Sequence, residues 1–158
     1  MAKRSDSFWD PHLTPAQNAK RRLPKLASDY FNAGSELVEG KPTVEELHAF
    51  RLATKRFRFT LEVFRPCYGK SLEIRIEHLR GVQNRLGEIN DCVTTLALLK
   101  PAAKSKAVST FLKKRIAERT GAFVQYWHRT FDAGQESQWR NYFSRFAREE
   151  SSSRGKRR

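Results

Sequence analysis

Residues 43–66, TVEELHAFRLATKRFRFTLEVFRP, constrain the fold more than any other stretch, because both ends of a helix and the chemistry of each face can be argued from them. Thr43 followed by Glu46 makes a capping box: the hydroxyl accepts from one orphan amide of the first turn and the carboxylate accepts from another. Pro66 sets the end, since a proline biases the residue before it, here Arg65, away from helical geometry. At about 100° per residue, Phe50, Thr54, Phe57, Leu61 and Phe64 form a broad apolar arc, and Leu52, Phe59 and Val63 form a narrower one. Glu45, Ala49, Arg56 and Thr60 point outward as the solvated face. His48, Arg51, Lys55, Arg58 and Glu62 recur at helical spacing between the two apolar arcs.

A charge run on a helix is ordinarily its solvated face. Here the solvated face lies elsewhere, so the basic line is expected in a groove with apolar walls. Like charges one turn apart cost a few tenths of a kcal/mol, and partly buried unpaired cations cost more. Glu62 offsets one of them; the remainder need an anionic ligand.

The chain of 158 residues suits one domain with a substantial core. Its formal net charge is +14 and its pI is near 10.3, which favours a polyanionic partner over a neutral substrate. Residues 1–14 are neutral in sum and residues 149–158 carry +2, so +12 belongs to the body rather than to a tail. Two cysteines, Cys67 and Cys92, without a CxxC pair, suit a reducing compartment. No apolar leader or membrane-length run occurs, so a soluble cytoplasmic protein is expected.

Along the rest of the chain, residues 1–13 are expected to be loose. Thr14, Pro15 and Gln17 open a first helix bearing Leu23, Leu26, Ala27, Tyr30 and Ala33, with Pro24 kinking or restarting it. Residues 34–42 are expected as a turn on the strength of Gly34, Gly40 and Pro42. SLEIRIEHL alternates like a half-buried strand, but a lone strand has nothing to pair with. Read as a helix it continues through Leu72, Ile76, Leu79, Val82, Leu86, Ile89 and Val93, with Gly87 inside it for close packing, Arg75 on the interior arc and Arg80 at its edge. A last long helix runs from about Lys104 to Phe131, burying Phe111, Leu112, Ile116, Phe123 and Tyr126, with Arg115 and Arg119 in the same arc. A short aromatic segment with Trp139, Tyr142, Phe143 and Phe146 follows, and residues 148–158 form a disordered basic tail. The expected fold is all-α, an antiparallel four-helix bundle over residues 14–147 with a short extra C-terminal helix.

ELHAFRLATKRFRFTLEVFRP, followed by LRGVQNRLGEINDCVTTLALL, resembles the CHAD domain, an α-helical family named for its histidine. The matching features are His48, Arg51, Lys55, Arg56 and Arg58, the Leu-Glu-x-Phe ending at Leu61 to Phe64, and the Leu-Gly-x-x-x-Asp element at Leu86 to Asp91. The resemblance implies antiparallel four-helix units and binding of inorganic polyphosphate in a basic central cavity, with His48, Arg51, Lys55 and Arg58 as motif contacts. Face geometry alone adds Arg75, Arg80, Arg115 and Arg119. Typical members hold two four-helix units, whereas this chain has the length for one; a homodimer would restore the missing half of the cavity. The resemblance also suggests association with polyphosphate granules.

The chemistry agrees. Polyphosphate presents about one negative charge per phosphate, and arginines at successive turns, about 5.4 Å apart, offer forked donors along it. His48 would contact it best when protonated. The sequence points away from catalysis: His12, His78 and His128 stand at no metal-ligand spacing to His48, there is no acidic cluster to hold Mg²⁺ and no phosphate-binding glycine loop, so no cofactor or metal is expected. The alternative is non-specific nucleic-acid binding, which the high pI fits and for which Arg21, Lys25, Lys113 and Lys114 could form a convex face. A bundle whose cations are all paired internally is excluded, since 17 acids face 31 bases.

Overall fold

A computed structural model describes residues 8–99 and 106–149, and every regular element among them is helical. The elements are α1 (Pro15–Glu39), α2 (Val44–Val63), a single turn α3 (Arg65–Tyr68), a 3-10 turn (Gly69–Leu72), α4 (Glu73–Leu98), α5 (Lys106–Thr130) and α6 (Gln135–Arg145). No helix among the described residues is long and apolar enough to cross a membrane.

The helix starts follow the expected chemistry. Thr14 and Thr43 each accept from the amide three residues on, and the Gln17 and Glu46 side chains accept from the backbone amides of Thr14 and Thr43, completing two capping boxes. Val63 is the last residue of α2, but Arg65, expected to leave helical geometry ahead of Pro66, instead opens α3, where Pro66 sits in the first turn and its missing N–H costs nothing. Leu72 to Leu98 follow the helical reading: Leu72, Ile76, Leu79, Val82, Leu86 and Ile89 are buried together.

Three expectations are corrected. α1 continues through Pro24 and Gly34 to Glu39, so the connection to α2 is only residues 40–43. Gly34 is not a turn residue but a contact: a Cβ built on it would stand 2.0 Å from Trp127 Cη2. On α5 the buried side chains are Leu112, Phe123 and Trp127, whereas Phe111 is exposed, because the buried stripe is set by α4 and α1 rather than by the most apolar arc of the isolated helix. Phe146, beyond the end of α6, is likewise exposed while Trp139, Tyr142 and Phe143 are buried.

Helix directions can be read from the contacts. Between α2 and α4, His48 meets Asn90, Arg51 meets Gly87, Arg58 meets Gln83, and Glu62 meets Arg80, so numbers rise on one helix as they fall on the other. α4 and α5 are also opposed, with Tyr126 Oη donating to the His78 carbonyl and Arg119 reaching Glu88. α6 lies along α1, where Ser28 donates to Glu136 and Phe31 packs on Trp139. The centre is aromatic: Trp127 stacks on Phe131 with centroids 4.5 Å apart and touches Tyr30, Phe31, Phe50 and Phe123. Thr54 donates its hydroxyl proton to the Phe50 carbonyl, so Tyr30 is the donor in the Tyr30–Thr54 bond at 3.1 Å, and burial pushes the Tyr30 phenol well up.

Residues 1–7 and 150–158, which hold most of the two segments expected to be disordered, lie outside the described residues. Residues 8–13 make specific contacts. Phe8 and Trp9 pack on Phe64, the buried Asn18 amide accepts from the Asp10 amide and donates to the Asp10 and Leu13 carbonyls, and Arg22 donates to the Phe8 carbonyl.

Gly34→Ala is expected to destabilise the protein by about 1–3 kcal/mol, since the new methyl must displace the Trp127 ring. Gly121→Ala on α5, where a Cβ meets nothing within 4 Å, should stabilise it by up to about 1 kcal/mol through helix propensity; denaturant titration of both variants checks the pair. Burial, and next to it the Arg75 guanidinium, lower the His78 pKa from its ordinary 6.5. The unfolded chain therefore takes up a proton before the folded one as pH falls below that value, and stability drops at no more than about 1.4 kcal/mol per pH unit. His78→Gln should remove that part of the acid slope in melting curves between pH 7 and pH 5.

Candidate functional site

The α2–α4 seam gathers most of the expected cations. α2 offers His48, Arg51, Lys55 and Arg58 on the side next to its buried face, and α4 answers with Arg80, Gln83, Gly87 and Asn90. His48 Nδ1 lies 3.1 Å from Asn90 Oδ1, at the rim of a pocket of about 230 Å³ lined by Leu47, Leu86, Ile89 and Val93. Arg51 lies across from Gly87, where a Cβ would come 3.7 Å from Arg51 Nε, an ordinary van der Waals contact, so the expected close packing does not require a glycine there. That Nε is buried and has no hydrogen-bond partner.

Farther along, Arg58 Nε donates to Gln83 Oε1 at 2.9 Å and its Nη1 donates to Glu62 Oε1 at 2.8 Å. The same carboxylate oxygen accepts from Arg80 Nη2 at 3.5 Å, and Arg80 also pairs with Glu77. The Arg58 guanidinium rests 4.6 Å from the Phe59 ring centroid and Lys55 Nζ 5.6 Å from it, a cation–π arrangement that holds both heads at the groove mouth. Arg51 and Lys55 form no ion pair among the described residues, so the row is neutralised at its Glu62 end and open at its middle.

The groove is walled on one side only. Phe50, Phe57 and Leu61 are buried as expected, but Leu52, Phe59 and Val63 are 37%, 46% and 71% exposed. They lie on the far side of the basic line from the core, where no described helix covers them. The cations therefore stand between core and solvent rather than between two buried walls.

Three residues expected to line the same cavity stand elsewhere. Arg75 is half-buried beneath α6, its guanidinium 3.5 Å from the Tyr142 ring centroid, and burial lowers its pKa. Arg119 is on the opposite flank of α4, donating to Glu88 at 3.0 Å, and Arg115 is exposed with its nearest ring contact at Phe111 of its own helix. The reason is geometric: α4 turns Arg80, Gln83, Gly87 and Asn90 toward α2, and His78, Gly81 and Glu88 toward α5. Face assignment on isolated helices cannot say which neighbour a face meets. Gln83 and Asn90 were missed for the same reason, although with Gly87 they recur at helical spacing, four and then three residues apart, and could have suggested a polar stripe on α4.

No curated protein and no solved structure matches the chain. A family model, the CHAD domain, matches residues 2–100, which takes in α1 to α4, including the two helices that form the groove, and stops short of α5. With more than half of its length matched, including the helix pair that holds His48, Arg51, Arg58 and Arg80, the chain belongs to the CHAD domain family.

Proposed function

We propose that the protein binds inorganic polyphosphate, without turning it over, along the basic groove between α2 and α4. The observation that carries this is the unpaired middle of the row. Arg51 and Lys55 have no acidic partner among the described residues, and a buried Arg51 Nε without an acceptor is costly unless a ligand supplies one. The family is associated with binding of polyphosphate or triphosphate, which agrees in charge and in the form of the ligand. His48, Arg51, Lys55, Arg58 and Arg80 are the proposed contacts; Arg75, Arg115 and Arg119 are left out on account of their positions. Binding rather than catalysis is the reading that a row of cationic donors beside amides suits.

α1, α2, α4 and α5 are read as one antiparallel four-helix unit, supported by the opposed directions of the α2–α4 and α4–α5 pairs. A homodimer that covers the open side of the groove is part of the proposal, supported by the exposure of Leu52, Phe59 and Val63 beside the basic line. A cytoplasmic protein gathered on polyphosphate granules is where such a binder would act. The same open side favours a second reading, nucleic-acid binding, since a groove with one wall does not by itself exclude a duplex.

A titration with labelled long-chain polyphosphate, with duplex DNA of equal total charge as competitor, separates the two. Both ligands lose affinity with salt, so displacement decides. Polyphosphate resisting displacement supports the groove; charge-for-charge exchange supports a general polyanion binder. Arg51→Glu and Lys55→Glu are each expected to weaken polyphosphate binding by about 10-fold or more with circular dichroism unchanged, while Lys113→Glu and Lys114→Glu should leave it within about two-fold. The reverse order would favour the nucleic-acid reading.

A further inference from the structure

The two ends of the basic row differ in a way that net charge does not explain. At the Arg51–Lys55 end the cations are open. At the other end Glu62 Oε1 sits between two guanidinium groups, 2.8 Å from Arg58 Nη1 and 3.5 Å from Arg80 Nη2. Gln83 takes Arg58 Nε, and Glu77 takes Arg80 Nη1. The carboxylate thus occupies the place between two forked donors that a bound phosphate oxygen would take. It lies inside the groove, with its side chain 23% exposed, against 61% for Glu77 on the solvent side of Arg80.

We propose that Glu62 is an internal counter-anion of the groove, one that stands in for a phosphate at the Arg58–Arg80 end and limits how many positive charges a bound polyanion meets. The inference rests on the polyphosphate reading above. A polyanion entering at Arg51 and Lys55 meets a free cationic stretch, then a carboxylate of its own sign one turn beyond Arg58. The arginines stay extended and in place without ligand because Glu62 holds them, and the same charge repels the chain's next phosphate. Glu62 therefore sets both the readiness of the site and its strength.

The test is a titration of wild type, Glu62→Gln and Glu77→Gln with the same labelled long-chain polyphosphate at a series of salt concentrations. Glutamine keeps an oxygen that can accept from both arginines, so the arrangement persists while the charge is lost. Glu62→Gln is expected to bind about two- to five-fold tighter at low salt and to steepen the log–log salt dependence by roughly 0.7–0.9. Glu77→Gln, which removes the same formal charge outside the groove, should change affinity by less than half as much. Unchanged or weaker binding by Glu62→Gln, or an equal gain in Glu77→Gln, overturns the assignment. A wild type that does not bind polyphosphate sinks the parent reading along with it; a wild type that binds, with Glu62→Gln no tighter, sinks only this one. A measurement on the wild type is independent of how the variants fold: the Glu62 side-chain carboxyl carbon resonance should move as polyphosphate is added, and a resonance that stays fixed through saturation counts against the role.

Discussion

The contact of the Trp127 indole with the bare backbone of Gly34 is the constraint on which the other packing depends. α5 has its main interface with α4, and its approach to α1 runs through this ring. Around the indole stand Tyr30 and Phe31 from α1, Phe50 from α2, and Phe123 and Phe131 from α5 and its end. Large aromatic surfaces meeting at tilted and stacked angles tolerate little slippage, because interiors pack near crystal density. The registers of α1, α2 and α5 are thereby tied to one another, and α4, held between α2 and α5, is turned so that one polar stripe faces each.

That turning makes the groove. The α4 stripe facing α2 is made of a glycine, two amides and an arginine, and each meets a particular member of the α2 line. Gln83 and Asn90 satisfy Arg58 and His48 without neutralising them, since an amide oxygen accepts a hydrogen bond but carries no formal charge. Gly87 stands opposite Arg51 and offers it neither charge nor acceptor side chain. A row of like charges is held in place at modest cost because most of the polar atoms are matched, while the charge remains available. Glu62 is the exception: it cancels charge, and does so at one end only.

Much of the helical outline was legible before any tertiary information. The two capping boxes and the start of α2 at Val44 follow from local hydrogen bonding that the neighbouring residues supply themselves. The buried arc of α2 and the long stripe of α4 follow from periodicity, because a helix five or more turns long averages out local ambiguity. Gly34 was misread since a glycine signals a turn and a close helix contact equally well; only the partner, Trp127, distinguishes them. Phe111 and Phe146 were misread because an apolar residue gives no sign of whether a neighbour exists to cover it.

The same division applies to the site. The sequence by itself determined that His48, Arg51, Lys55 and Arg58 share one line of one helix, and that acids are too few to pair the cations. These are properties of a single helix and of composition, and they need no neighbour. Only the tertiary structure decided that Arg80 joins that line while Arg75, Arg115 and Arg119 do not, that Leu52, Phe59 and Val63 are left uncovered, and that Glu62 meets Arg80 of α4 as well as Arg58 of its own helix. Each of those depends on which helix faces which, and that choice is made by packing around the aromatic core, where the free energy of fitting rings together outweighs the small preferences of individual surface charges.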